Sequence, residues 1–268
     1  MIKKSFLDNP IVSNQIFFPP QFISPNLSSA MYSHSFIKEL RFKITKKITL
    51  IGYFYLNDEN LPTILLFHGN GELAAEYYGL VDFFFDCGVN LAVVDYRGYG
   101  SSSGRPIFSG LISDAMPIYN GLRDWIVRNK LNNSIFILGR SIGSVPASEI
   151  GAHNPDNLRG IIFSSGYASL YYMMTEIFRV TGPDVTPEGL KEYSNDTRIK
   201  NFQKSVLIIH GTQDFLIPYT ESESIYNHIP EGVEKKLILI EGADHNNIFS
   251  FKEEYTAPLK EFINKNKK

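Results

Sequence analysis

From Leu61 onward, short runs of aliphatic and β-branched residues alternate with longer stretches of mixed polarity. The runs are TILLFH at 63–68, NLAVVD at 90–95, SIFILG at 134–139, GIIFSS at 160–165, SVLIIH at 205–210 and KLILIE at 236–241, and each closes in polar or glycine-rich sequence. Runs this short and this apolar read as strands buried on both faces, with the stretches near 74–87, 110–129, 142–153, 219–229 and 248–265 as the helices that cross between them. The rhythm predicts an α/β domain built on a mainly parallel sheet with helices on both faces. KITLIGYFYL at 47–56 reads as an additional, earlier strand running antiparallel.

Two stretches break the rhythm. Residues 1–35 carry Pro10, Pro19, Pro20 and Pro25 among scattered aromatics. Proline removes a backbone donor and fixes φ, so this stretch is expected to be an extended arm packed on the domain through Phe17, Phe18 and Phe22. Residues 36–268 then form the single domain. Inside it, residues 166–204 are too long for a simple connection, and YASLYYMMTEIF predicts an apolar helix before the breakers Gly182, Pro183 and Pro187. A short cap over the site is expected there, against the plainer alternative of a crossover helix with a long loop.

Composition narrows the function. With 268 residues and 43% hydrophobic content the chain can bury one sizeable core. Its 26 basic and 28 acidic residues leave a net charge of -2, which offers no field for gathering nucleic acid and favours a small neutral substrate. The one cysteine, Cys87, cannot form an intrachain disulfide and is expected to be an inert packing residue. In MIKKSFLDNP, Asp8 and Pro10 interrupt the apolar run before a signal-peptide core forms, and no apolar stretch reaches the roughly 20 residues that span a bilayer. A soluble cytoplasmic protein is the expectation, with membrane association not evident and oligomeric state left open.

The chemistry concentrates at strand ends, where ligands bind in open parallel sheets. Gly139-Arg140-Ser141-Ile142-Gly143 follows one strand and opens a helical stretch, which is the setting of a nucleophile elbow. The glycines are needed because the turn is too tight for side chains at its flanks, and the serine hydroxyl projects from it. A serine hydroxyl attacks only when a base takes its proton, so a histidine and an acid are expected later in the chain, in the order serine, acid, histidine. Of the histidines beyond the elbow helix, His228 lies in the helical stretch SIYNHI and His210 ends a strand where local bonding is expected. His245, in the loop GADHNN, remains as the base. Asp214, in the loop after SVLIIH, is the acid. Asp244 is its rival but adjoins His245 and fits a loop-stabilising role better.

A tetrahedral intermediate also needs donors for its oxyanion. One is expected from the backbone N–H of Ile142, the residue after the nucleophile, and one from His68-Gly69-Asn70-Gly71, with Asn70 as the donor. Asp95 and Arg97 in DYRGYG are assigned to local ion pairs or hydrogen bonds, Asp114 and Trp125 to a helix start and to packing, and Arg140 is expected to turn away from substrate.

The segments LLFHGNG, VVDYRGYGSSSG, GRSIGS, IIHGTQDFLIP and GADHNNI, in this order, resemble the α/β-hydrolase superfamily, particularly its small serine hydrolases of the depalmitoylase-like branch. The resemblance covers about residues 45–265. It implies the α/β-hydrolase fold, with a mostly parallel eight-stranded sheet whose first pair alone is antiparallel. It also implies Ser141 as nucleophile, Asp214 as acid, His245 as base and the amides of Asn70 and Ile142 as oxyanion donors. The expected activity is hydrolysis of a carboxylic ester or thioester, with an acyl chain as one substrate group and with no metal or organic cofactor. A peptidase of the same fold and a non-catalytic binding protein are the alternatives.

Overall fold

The computed structural model describes residues 6–20 and 34–268. Its sheet has eight strands: β1 Ile37–Lys43, β2 Thr49–Tyr55, β3 Thr63–Phe67, β4 Asn90–Val94, β5 Ile135–Arg140, β6 Leu158–Ser164, β7 Val206–Gly211 and β8 Lys235–Ile240. They lie in the order β1-β2-β4-β3-β5-β6-β7-β8. The α/β-hydrolase fold expected from the sequence is therefore present. Antiparallel pairing is not confined to the first pair, however: β2 runs antiparallel to both β1 and β4, and every later pair is parallel. Strand β1, IKELRFK, carries charged residues on its exposed positions at the sheet edge, which is why its sequence lacks the apolar run that marks the other strands.

Alternation along the buried strands sends successive side chains to opposite faces. On one face, Leu65, Ile137, Phe163 and Ile208 pack with helices α3 Phe108–Ser113, α4 Ala115–Arg128, α5 Ser144–His153, α6 Asn195–Ile199 and α7 Thr220–His228. The other face, with Leu66, Phe136, Leu138 and Ile209, is covered by α2 Val81–Phe85 and α8 Lys252–Asn266. Trp125 of α4 packs on Phe54 with ring centroids 4.7 Å apart. Cys87 is buried and its thiol is pushed up to about 12, chiefly by that burial, so it is an inert packing residue.

The N-terminal segment differs from the extended arm that its prolines suggest. Pro10 stands at the first turn of a helix, α1 Pro10–Ile16, where its missing N–H costs nothing, and Asn9 caps that turn by accepting from Ile11 N–H. Phe17 is buried and Phe18 is exposed, while Phe22 lies outside the described residues. The segment is held by Asp8, whose carboxylate accepts from Ser109 N–H and Oγ, and by Pro20, whose carbonyl accepts from Gly100 N–H.

The insertion 166–204 forms no long apolar helix. A turn over Leu170–Tyr172 widens into a π turn over Met173–Ile177, and the chain then runs through short turns into α6. Its Tyr167, Leu170, Met173 and Met174 are buried in the main core, so much of the segment's apolar character serves the domain interior. Glu221 of α7 accepts from the amides of Ala168 and Ser169, and Arg198 of α6 binds Glu149 of α5 at 2.6 Å.

One contact sets the geometry of the whole strand-to-helix turn. A Cβ on Gly143 would stand 2.0 Å from the Phe67 carbonyl oxygen, and one on Gly139 would stand 2.5 Å from the Gly143 oxygen. Gly143→Ala is therefore expected to lose about 3 kcal/mol of stability in urea unfolding, whereas Gly79→Ala, where a Cβ meets nothing within 4 Å, leaves it unchanged. Equal stability of the two variants would contradict the close approach.

Candidate active site

The close packing of α5 against β3 and β5 leaves the chain one way to turn. Ser141 adopts φ of 53°, a left-handed conformation that costs a residue with a side chain of order 1 to 3 kcal/mol and persists only where its surroundings enforce it. Ser141 thereby opens a single 3₁₀ turn, Ser141–Gly143, ahead of α5.

The three residues expected to act together meet there. His245 Nε2 lies 3.1 Å from Ser141 Oγ, and His245 Nδ1 lies 2.7 Å from Asp214 Oδ2. All three are buried, with Ser141 6% and His245 7% exposed. Asp214 Oδ1 accepts from the amides of Leu216 and Ile217, which fixes the carboxylate in its turn. Its rival Asp244 instead accepts from the amides of Asn246 and Asn247, the loop-stabilising role that the sequence suggests.

His210 is more involved than its expected local bonding. Its Nδ1 meets Ser222 Oγ at 2.6 Å, its Nε2 meets the Ile217 carbonyl at 2.8 Å, and the same Nε2 stands 3.2 Å from Asp214 Oδ2. The acid thus lies between two imidazoles. Burial alone would raise the Asp214 carboxyl, but hydrogen bonds from His210 and His245 and from the Ile217 amide hold it well below the usual carboxylate range. The HGTQD spacing, four residues from a strand-end histidine to the acid, was the available signal for this contact.

The HGNG loop after β3 is fixed from several sides. Tyr96 hydroxyl donates to the His68 carbonyl at 2.6 Å, and Gly69 N–H donates to Glu72 Oε2 at 2.8 Å. The Asn70 side chain is fully engaged: Oδ1 accepts from Phe18 N–H and from Tyr99 hydroxyl, and Nδ2 donates to the Ile16 carbonyl. The side chain is thereby committed to the N-terminal segment and to Tyr99.

Arg140 does turn away from the Ser141 side, as expected, yet it reaches other parts of the site. Alternation along β5 puts it on the face of Phe136 and Leu138, where a buried guanidinium requires a partner. It donates Nε to Glu72 Oε1 at 2.7 Å and Nη2 to the His245 carbonyl at 2.9 Å, and its guanidinium stands over the Phe249 ring. Asp95 and Arg97 each join a local network but do not pair with each other. Asp95 accepts from Ala74 N–H, while Arg97 grips Asp114 through two bonds of 2.6 Å at the start of α4. Among the described residues there is no cluster of three His, Cys, Asp or Glu side chains able to hold a metal ion, and no helix is long and apolar enough to cross a membrane.

The depressed Asp214 carboxyl has a measurable consequence. Because its folded pKa lies below the unfolded value of about 4, the stability it contributes is complete above that value and is lost as pH falls toward the folded one. Asp214→Asn is expected to make the fall in unfolding free energy below about pH 4 shallower by about one proton's worth of slope. Identical acid slopes for the two proteins would contradict this.

Comparison with known proteins agrees with this architecture. A family model for the prolyl oligopeptidase family matches residues 123–268, and one for serine aminopeptidase S33 matches residues 58–183. The human alpha/beta hydrolase domain-containing protein 17B is 30% identical over 207 residues, covering 75% of this chain and 66% of that protein. The chain therefore spans just under two thirds of the length of the curated relatives it matches. Among solved structures, the Pyrococcus furiosus esterase Pf2001 superposes with a TM-score of 0.69 at 19% identity, covering 92% of this chain and 96% of that one. Est1E from Butyrivibrio proteoclasticus, solved with ferulic acid bound, superposes with a TM-score of 0.68 at 18% identity over 85% of this chain and 98% of its own. The strand order, the elbow between β5 and α5 and these matches together identify the chain as a member of the α/β-hydrolase superfamily.

Proposed function

We propose that the protein is a serine hydrolase that cleaves carboxylic ester or thioester bonds through an acyl-enzyme. The observation that carries this reading is the continuous hydrogen-bond chain from Ser141 Oγ through the His245 ring to Asp214, at 3.1 and 2.7 Å.

The reaction follows from what each group can do. Ser141 Oγ forms a bond to the carbonyl carbon while His245 Nε2 takes its proton, and the carbonyl π electrons move onto oxygen. The backbone N–H groups of Asn70 and Ile142 are assigned to that oxyanion, where each well-placed donor is worth about 3 to 4 kcal/mol in the transition state. His245 then gives its proton to the departing alcohol or thiol as the carbonyl re-forms. Water attacks the acyl-enzyme with His245 as base, and Ser141 leaves with the proton restored. Asp214, kept ionised by its four donors, orients the ring and stabilises the imidazolium that forms twice in each cycle.

Exposed apolar side chains on the segment that follows Asp214 and on the one tied to Asn70 support an acyl substituent. Phe215, at 91% exposure, and Leu216 follow the acid directly, and the exposed Phe18 is tied through its amide to Asn70. Exposed apolar side chains on loops that carry a site favour an apolar ligand group. In the 166–204 insertion, which we assign as a short cap, Tyr171 is the exposed large apolar side chain. Peptide hydrolysis is the second reading, favoured by the peptidase families whose models match.

Purified protein assayed on p-nitrophenyl esters and acyl thioesters from two to sixteen carbons, beside aminoacyl p-nitroanilides, separates the two. The expected outcome is ester turnover that falls at least about a thousandfold in Ser141→Ala and His245→Ala. A clear preference for the anilides would replace the esterase reading with the peptidase one, and turnover unaffected by Ser141→Ala would remove both.

A further inference from the structure

The geometry points to Arg140 as a positioning residue that couples the loop carrying the base to the loop assigned to the oxyanion. This rests on the hydrolase reading above and deepens it. The His245 carbonyl accepts from Arg140 Nη2, Arg140 Nε donates to Glu72 Oε1, and Glu72 Oε2 accepts from Gly69 N–H and from Tyr77 hydroxyl, both at 2.8 Å. Gly69 is the residue before Asn70. One ion pair, its arginine buried and its glutamate partly buried, therefore runs beneath the elbow from the backbone of His245 to the peptide that precedes the proposed oxyanion donor, and its arginine is itself the residue before Ser141.

The chemistry of the pair suits that task. A guanidinium offers its donors in a rigid fork, so moving either loop relative to the other breaks or bends a bond. A lysine carries the same charge on a flexible stem and holds one direction at a time. Arg140 is 4% exposed, which leaves little water to replace either contact. Burial would raise the Glu72 carboxyl, but the Arg140 charge, with the Gly69 amide and Tyr77 hydroxyl, holds it below its ordinary value, so the pair stays ionised. Arg140 does not face the reacting atoms: it lies on the sheet face opposite α5. Its effect on the reaction passes through the places of His245 and Asn70, where a displacement of about 1 Å costs on the order of a hundredfold in rate.

The test compares Arg140→Lys, Arg140→Met, Glu72→Gln and the double variant Arg140→Met/Glu72→Gln. For each, kcat and KM are measured on the ester that the unaltered protein cleaves best, together with Tm, with Ser141→Ala as the blank. Arg140→Met is expected to lower kcat about a hundredfold with KM within about threefold. In the double variant no buried charge is left without its partner, so Tm recovers toward that of the unaltered protein, while kcat stays about a hundredfold down. Arg140→Lys is expected to keep Tm and lose about tenfold in kcat. Recovery of kcat together with Tm in the double variant would overturn the proposal in favour of a merely structural pair. If Arg140→Met does not fold, a folded Arg140→Lys with undiminished kcat overturns it equally. Absence of ester turnover by the unaltered protein above the Ser141→Ala blank would overturn the hydrolase reading, and this inference with it.

Discussion

The site depends on how closely helix α5 approaches strands β3 and β5. With no Cβ at Gly139 or Gly143, the backbone of the helix's first turn comes against the Phe67 and His68 carbonyls, and the strand must enter the helix through a single left-handed residue. That residue is Ser141. The conformational strain is held in place by packing on both sides of the turn, and it projects the hydroxyl from the carboxyl edge of the sheet toward the loops after β3, β7 and β8. Of Ser141, Asp214 and His245, only Ser141 has a positive φ.

The loops that meet Ser141 are fixed by buried or partly buried charges, each with several partners. Asp214 takes two amides and two imidazoles, and Glu72 takes an amide, a hydroxyl and a guanidinium. Arg97 with Asp114 and Arg198 with Glu149 do the same for the supporting helices. A buried ion left without its partner is strongly destabilising, so such pairs give a loop few alternative positions. The apolar sheet supplies the bulk of the burial, and the ion pairs decide where its loops stop. The N-terminal segment joins the same scheme through Asn70, whose carboxamide it occupies.

Much of this was legible in the residues. Strands β3 to β7 announce themselves because both faces of each are covered, and β8, only partly buried at the far edge, by its aliphatic run; the G-x-S-x-G turn, Asp214 after β7 and His245 after β8 sit at strand ends, where the sequence places them. What escaped is equally physical. Strand β1 alternates charged and apolar side chains at an edge, so no apolar run marks it. Helix α1 was masked by Pro10, a helix breaker everywhere except in the first turn where it stands. The segment around Met173 and Met174 looked like one apolar helix, but its side chains serve the main core and its backbone breaks into short turns. Arg140 occupies a position that the elbow motif leaves free. Its partner Glu72 is far away in sequence, and only the alternation of β5 hinted that an arginine there is buried and must find a carboxylate.

On the proposed reading, the environment of Ser141, and of no other serine, makes a nucleophile. The most direct measurement is reaction of the folded protein with a fluorophosphonate, followed by intact mass and peptide mapping. One adduct per chain is expected, on Ser141, forming at least about a thousandfold more slowly when His245 is replaced by alanine. A folded protein that takes up no adduct, or takes it up on a different serine at a rate indifferent to His245, would contradict it.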